Sequence, residues 1–244
     1  MTGPPGAAAP GGTLDCMNVE IWSDIACPWC YVGKRRFEAA LAGFEHRDEV
    51  TVTWRSFELD PAAPRERGGD RATHLAEKYG TTRERALEMQ QHMTDVAATE
   101  GLEFRFDRAR SGNTFDAHRL LHLAAEHGRQ DELKERLMRA YLTEGRLVAD
   151  PEALEELGAE AGLPRAEVAE LLAGDRFAAE VREDERTASA LGIHAVPFFV
   201  VDRALGASGA QPPEVLGEML RQGWEARPKL AVVADGETCG VDGC

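Results

Sequence analysis

The chain has 244 residues with 43% apolar and 29% charged content, enough to bury a core as one α/β domain with an insertion or as two domains. Its net charge of −15 argues against a nucleic-acid backbone or an anionic membrane surface as partner. Its five cysteines (16, 27, 30, 239 and 244) are too scattered for a disulfide-rich secreted scaffold, and no stretch nears the roughly 18 apolar residues of a membrane span.

Residues 1–16 are mostly Gly, Ala and Pro, without the basic region and apolar run of a secretory signal, so a disordered lead is expected. Met17 is then an alternative start, and Cys16 has no expected role. A cytoplasmic location follows as the default, and there a C-x-x-C pair is more often redox or metal chemistry than a structural disulfide. "NVEIWSD" (18–24) alternates Val19 and Ile21 with polar neighbours and predicts a first strand. "PWCYVGKRRFEAALAGF" (28–44) sets Trp29, Val32, Phe37, Leu41 and Phe44 near helical spacing, with Pro28 suited to the first helical position. "EVTVTWRSFEL" (49–59) is β-branched and alternating, a second strand. Together they have the size of a βαβ unit.

From residue 61 to 188 the period changes to helical. "LAEKYGTTRERALEMQQHMTDVAATEG", "NTFDAHRLLHLAAEHG", "QDELKERLMRAYLTEG", "DPEALEELGAEAG" and "PRAEVAELLAG" each end in Gly. Asn113 is placed to cap the second of these, which aligns His118, Leu121, His122 and Ala125 on one face. After a last helix (177–192), "VPFFVVD" (196–202) predicts a short strand entered through proline, with 204–210 as its hairpin partner. A closing amphipathic helix (212–224) and a tail to residue 244 complete the chain.

The chemistry concentrates in "CPWC". Cys27 follows a strand and takes the N-cap position, where unpaired amides and the partial positive charge of the helix start stabilise a thiolate. The amides of Trp29 and Cys30 can donate to it, and Cys30 lies one turn further in, close enough to close a disulfide. Cys27 is therefore expected to attack first and Cys30 to resolve the mixed disulfide. Lys34, Arg35 and Arg36 add positive potential, and Asp24 opposes it.

Four blocks, "VEIWSDIACPWCYVGKRRFE", "NTFDAHRL", "GIHAVPFFV" and "GASGAQPPEVL", carry a resemblance covering most of residues 17–225. The chain resembles the DsbA family of the thioredoxin superfamily, and within it the FrnE-type cytosolic branch. The resemblance implies an α/β thioredoxin fold interrupted by a large all-helical insertion domain. Residues 17–60 and 189–225 would form the thioredoxin-like domain and 61–188 the insertion, with 226–244 as a C-terminal tail. It implies a thiol–disulfide oxidoreductase acting on protein or peptide thiols and disulfides, or on a low-molecular-weight thiol, without a cofactor or metal. Pro197 matches the cis-proline that faces the dithiol, leaving the Val196 backbone to pair with an extended polypeptide; its plain alternative is a strand-initiating proline. Pro28, Trp29, Val196 and His118 are the expected substrate contacts. His194 is a further candidate near the same loop.

Cys239 and Cys244, separated by "GVDG", match the C-x4-C found in some FrnE-type tails and are expected as an internal redox partner, unless they are incidental thiols. Asp235, Glu237 and Asp242 around them disfavour thiolate. Two other classes stay open. One is a glutathione-linked transferase or isomerase of the kappa or 2-hydroxychromene-2-carboxylate isomerase type, which usually has serine where Cys27 stands. The other is a module holding zinc between "CPWC" and "CGVDGC". No phosphate-binding glycine loop or nucleophile elbow is present in the sequence.

Overall fold

The structure, a computed structural model, describes residues 16–227; the expected C-terminal pair Cys239 and Cys244 and most of the expected lead lie outside the described residues. Strand β1 (Met17–Ser23) sends Met17, Val19 and Ile21 to one side and Trp22 to the other, as a period of two requires. Helix α1 (Pro28–Ala42) begins at Pro28 with Cys27 as its N-cap. A 3-10 turn (Arg47–Glu49) leads to β2 (Val50–Ser56), parallel to β1 with Ile21 opposite Trp54. This strand is shorter than 49–59, because the chain leaves the ladder after Ser56 and the Leu59 amide turns to Asp24 instead.

Helices occupy the stretch between β2 and the next strand: α2 (Arg71–Tyr79), α3 (Arg83–Thr99), α4 (Phe115–Glu126), α5 (Gln130–Arg139), α6 (Pro151–Glu160), α7 (Arg165–Ala173) and α8 (Ala178–Ala190). The expected run 75–101 is two helices, not one. Gly80 breaks it at φ 61°, a left-handed conformation cheap for glycine, and the Thr82 hydroxyl restarts it by accepting the Arg85 amide. Asn113 serves α4 from one residue before the N-cap Thr114, its Oδ1 taking the Phe115 amide at 2.7 Å.

Strand β3 (Phe198–Val201) pairs antiparallel with β1, and β4 (Leu205–Ser208) antiparallel with β3, giving the order β2-β1-β3-β4; α9 (Pro213–Glu225) closes the described chain. On one sheet face Phe37, Phe44, Leu216 and Leu220 of the α1 and α9 layer meet Ile21, Trp54 and Phe199. Burying each such side chain contributes roughly 1.5–3 kcal/mol. On the other face Trp22 and Val200 pack on Ala188 and Ile193. A third core, rich in leucine, joins α4 to α7 and takes in Cys27, Cys30 and Tyr31. Helix α1 thus straddles two cores: its first turn belongs to the helices, and Phe37 to the sheet.

Polar clamps fix the helices to the sheet. Gln130 of α5 treats the edge strand as a partner, its Oε1 accepting from the Trp54 amide at 2.9 Å and its Nε2 donating to the Trp54 carbonyl at 3.0 Å. Asp184 of α8 accepts from the Ser56 amide at 2.9 Å and faces Arg55 at 3.2 Å and His122 at 3.1 Å. Ser56 Oγ and Asp184 both approach the same nitrogen, Nε2, of His122, so these three form a structural knot and not a nucleophile relay. Buried Arg119 of α4 donates to the carbonyls of Leu171, Gly174 and Arg176, satisfying the end of α7.

Candidate active site

Cys27 and Cys30 sit at the seam between the sheet layer and the helices, 5% and 1% exposed. The N-cap geometry expected for Cys27 is present, with extended φ and ψ of −88° and 113° and Pro28 next. Its sulfur lies 3.7 Å from the carbonyl oxygen of Val196, and the Val196–Pro197 bond is cis. Pro197 is buried against α1 at Gly33, where a β-carbon would come within 2.8 Å of the proline Cγ. Sequence reasoning passed over Gly33. The close approach of the two backbones is what requires it.

The two sulfurs are pushed apart in acidity. A hydrogen bond from the Cys30 thiol is the main cause holding Cys27 below the ordinary thiol range, against burial and the Asp24 charge, with help from the Cys30 and Trp29 amides. Burial pushes Cys30 well above that range, and the neighbouring Cys27 sulfur adds to the effect.

The expected source of positive potential is corrected. Lys34 is buried but faces Glu38, Asp131 at 3.1 Å and Glu135 at 3.5 Å, Arg35 pairs with Glu38 and Glu135, and Arg36 pairs with Glu100. These charges are spent on carboxylates away from the thiols. The cation that acts on the pair is Lys134 of α5, fully buried, with Nζ donating to the Ser23 carbonyl at 3.2 Å. It stands one turn after Gln130, so the clamp on β2 also holds the part of α5 whose ammonium acts electrostatically on the thiols. Burial lowers Lys134 to about 8, against the upward pull of Cys30, Asp24 and Cys27. In the sequence its only signal was a lysine between Leu133 and Leu137 of an amphipathic helix.

Asp24 is the opposing charge. Burial would raise it, but His118 and the amides of Leu59 at 2.8 Å and Ala26 at 3.2 Å more than offset this and hold the carboxyl low. His118 is fully buried behind Asp24, its Nε2 at 3.5 Å from Oδ1 without hydrogen-bond alignment, and burial holds the ring below the usual imidazole range. The expected cleft wall at His118 is therefore replaced by a buried position among the charges under the thiols. His194 is exposed.

A cavity of about 370 Å³ opens beside the pair, lined by Cys27, Pro28 and Trp29 together with Arg71, Met93 and Tyr141 from the helices. Trp29 is 40% exposed at its rim. Among the described residues no three Cys, His, Asp or Glu side chains are grouped to hold a metal ion, and no helix is long and apolar enough to cross a membrane.

The model of the DSBA-like thioredoxin domain matches residues 18–221. The structure is similar to that of a probable DsbA oxidoreductase from Streptomyces coelicolor, at 51% identity and a TM-score of 0.84, covering 93% of this chain and 98% of that one. The cytosolic disulfide reductase DsbM from Pseudomonas aeruginosa, solved with GSH, shares the fold at 21% identity and a TM-score of 0.61, covering 85% of this chain and 99% of that one. The uncharacterized protein YwbO of Bacillus subtilis is 27% identical over 197 residues, 79% of this chain and 92% of that protein.

Proposed function

The chain belongs to the DSBA-like thioredoxin domain family, and on that premise we propose that it is a cytoplasmic thiol–disulfide oxidoreductase of the FrnE type, with Cys27 as nucleophile and Cys30 as resolving thiol. The observation that carries this reading is the placement of Cys27 as N-cap of α1 on the wall of the cavity, 3.7 Å from the Val196 carbonyl, with Cys30 buried one turn further in and the two thiols pushed apart in acidity.

The exchange follows from the geometry. The Cys27 thiolate attacks one sulfur of a substrate disulfide, forming a mixed disulfide and releasing the other half as thiolate. Cys30 then gives up its proton and attacks the Cys27 sulfur, closing the Cys27–Cys30 disulfide and releasing the second substrate thiolate. Two electrons pass from protein to substrate; the reverse sequence oxidises a substrate dithiol. The Lys134 cation favours the second deprotonation, since its charge pulls the Cys30 thiol down. The Val196 carbonyl, which accepts from the Cys27 thiol at 3.7 Å, would turn to an incoming backbone amide once that thiol has ionised. The cavity of about 370 Å³ beside Cys27 is where a substrate sulfur would arrive. Cys239 and Cys244 are proposed as the internal partner that exchanges with the Cys27 site.

Insulin reduction and refolding of scrambled ribonuclease, measured for the wild type, Cys27→Ser and Cys239→Ser, test the reading. Loss of both activities in Cys27→Ser is expected. Full turnover in that variant would overturn the dithiol mechanism, and an unchanged Cys239→Ser would remove the tail from it.

A further inference from the structure

The cavity beside Cys27 is richer in cations than in carboxylates, unlike the chain as a whole. The whole sequence carries −15, yet the charged side chains lining this cavity are Arg67, Arg71 and Lys78 against Asp24 and Asp60. Both carboxylates are already engaged: Asp60 pairs with Arg67, and Asp24 accepts two backbone amides. Arg71 and Lys78 have no carboxylate partner among the described residues.

Arg71 is the built one of the two. It is half-buried at the start of α2, and its Nη1 donates to the Tyr141 hydroxyl at 2.7 Å. Its guanidinium lies 5.0 Å from the Phe106 ring centre and 5.6 Å from that of Tyr141. The Ser111 hydroxyl stands 3.5 Å from the same Tyr141 oxygen. Two rings, one of them with its hydroxyl, thus hold a planar fork in one pose while only one of its five N–H donors meets a protein acceptor. A half-buried guanidinium held in one pose with donors left over on a cavity wall is suited to an anion that completes its hydrogen bonds.

We propose that this cavity recognises low-molecular-weight thiols and disulfides that carry a carboxylate, with Arg71 as the group that binds the carboxylate and Lys78 as a second positive charge on the cavity wall. The inference rests on the thiol-exchange reading of Cys27 and narrows it to a substrate class. The volume of about 370 Å³ favours a small molecule over a polypeptide, being near the lower end for ligand pockets.

The test uses S-methylglutathione, which cannot exchange, and its diethyl ester, titrated calorimetrically into the full chain. The acid is expected to bind wild type about tenfold more tightly than the ester, the worth of one charge-assisted hydrogen bond. In Arg71→Met that ratio should fall toward one with ester binding retained, and Arg71→Lys should keep part of it. Equal binding of acid and ester by wild type, or an unchanged ratio in Arg71→Met, overturns the proposal. So does tighter binding of an acidic nonapeptide built around S-methylcysteine, which would assign the cavity to polypeptides. Because the probes are blocked at sulfur, these outcomes are independent of turnover: loss of the exchange reading shows in Cys27→Ser, and loss of carboxylate recognition shows here.

Discussion

The Pro197 ring rests directly on Gly33, with 2.8 Å separating its Cγ from the place a β-carbon would occupy. This contact sets how near the Val196 carbonyl comes to the Cys27 sulfur. Gly33→Ala should therefore push the Val196–Pro197 loop off α1. A stability loss of about 1–3 kcal/mol is expected from the overpacking, read by denaturant unfolding. Slower alkylation and slower exchange at Cys27 should accompany it. A variant as stable and as reactive as wild type would show that the loop gives way freely.

The two thiols should titrate on opposite sides of the ordinary value of 9.0. Iodoacetamide labelling followed by mass spectrometry across pH should modify Cys27 first and leave Cys30 unlabelled until far more alkaline conditions. Cys30→Ala should raise the Cys27 midpoint, because it removes the hydrogen bond that contributes most to the depression.

Lys134→Met removes the only fully buried cation facing the pair among the described residues. Cys30 should become harder to deprotonate, so mixed disulfides with Cys27 should accumulate and be visible on non-reducing gels. The stability sign follows from linkage. The folded lysine is lowered to about 8 from 10.5, so between those values the unfolded chain binds more protons and folding gains with rising pH. Wild type should gain stability relative to Lys134→Met from pH 8 to 10.5; a constant difference would show that the lysine titrates normally.

Glu58 behaves in the opposite sense. Its side chain is buried, and burial together with Glu185 outweighs Arg182, raising it from 4.5 to about 7. Here the folded state binds the extra proton, so this contribution is complete below pH 4.5 and disappears as pH rises through 7. Urea titrations of wild type should show stability falling between pH 5 and 8, and Glu58→Gln should flatten that fall.

Arg119→Met should cost about 3 kcal/mol, since it strands the carbonyls that end α7 without donors in a buried setting. Because Arg119 lies away from the thiols, the alkylation midpoint of Cys27 should stay where it is in the folded variant.

The fold was largely legible because its signals are local. Alternation at Val19 and Ile21, Pro28 at a helix start and a proline before an apolar strand each follow from a few neighbouring residues. The N-cap placement of Cys27 was legible for the same reason, since an N-cap is a local geometry. What governs its surroundings was not. Lys34, Arg35 and Arg36 stand nearest in sequence, yet Glu38, Glu135 and Glu100 turn them elsewhere, and the decisive lysine comes from more than a hundred residues downstream. His118 was expected on a cleft wall because helical period gives a face, but not what covers that face. Gly33 and Arg71 belong to the same class: a close approach and an unpaired charge exist only once separate elements are brought together.

Gln130 has a consequence for how such a chain can change over time. By stitching α5 to the outermost strand it makes a helix from the interruption a hidden wall behind Cys27 and Cys30. Grafting a foreign helical block between β2 and β3 would retune the sulfur even with all four letters of its motif untouched.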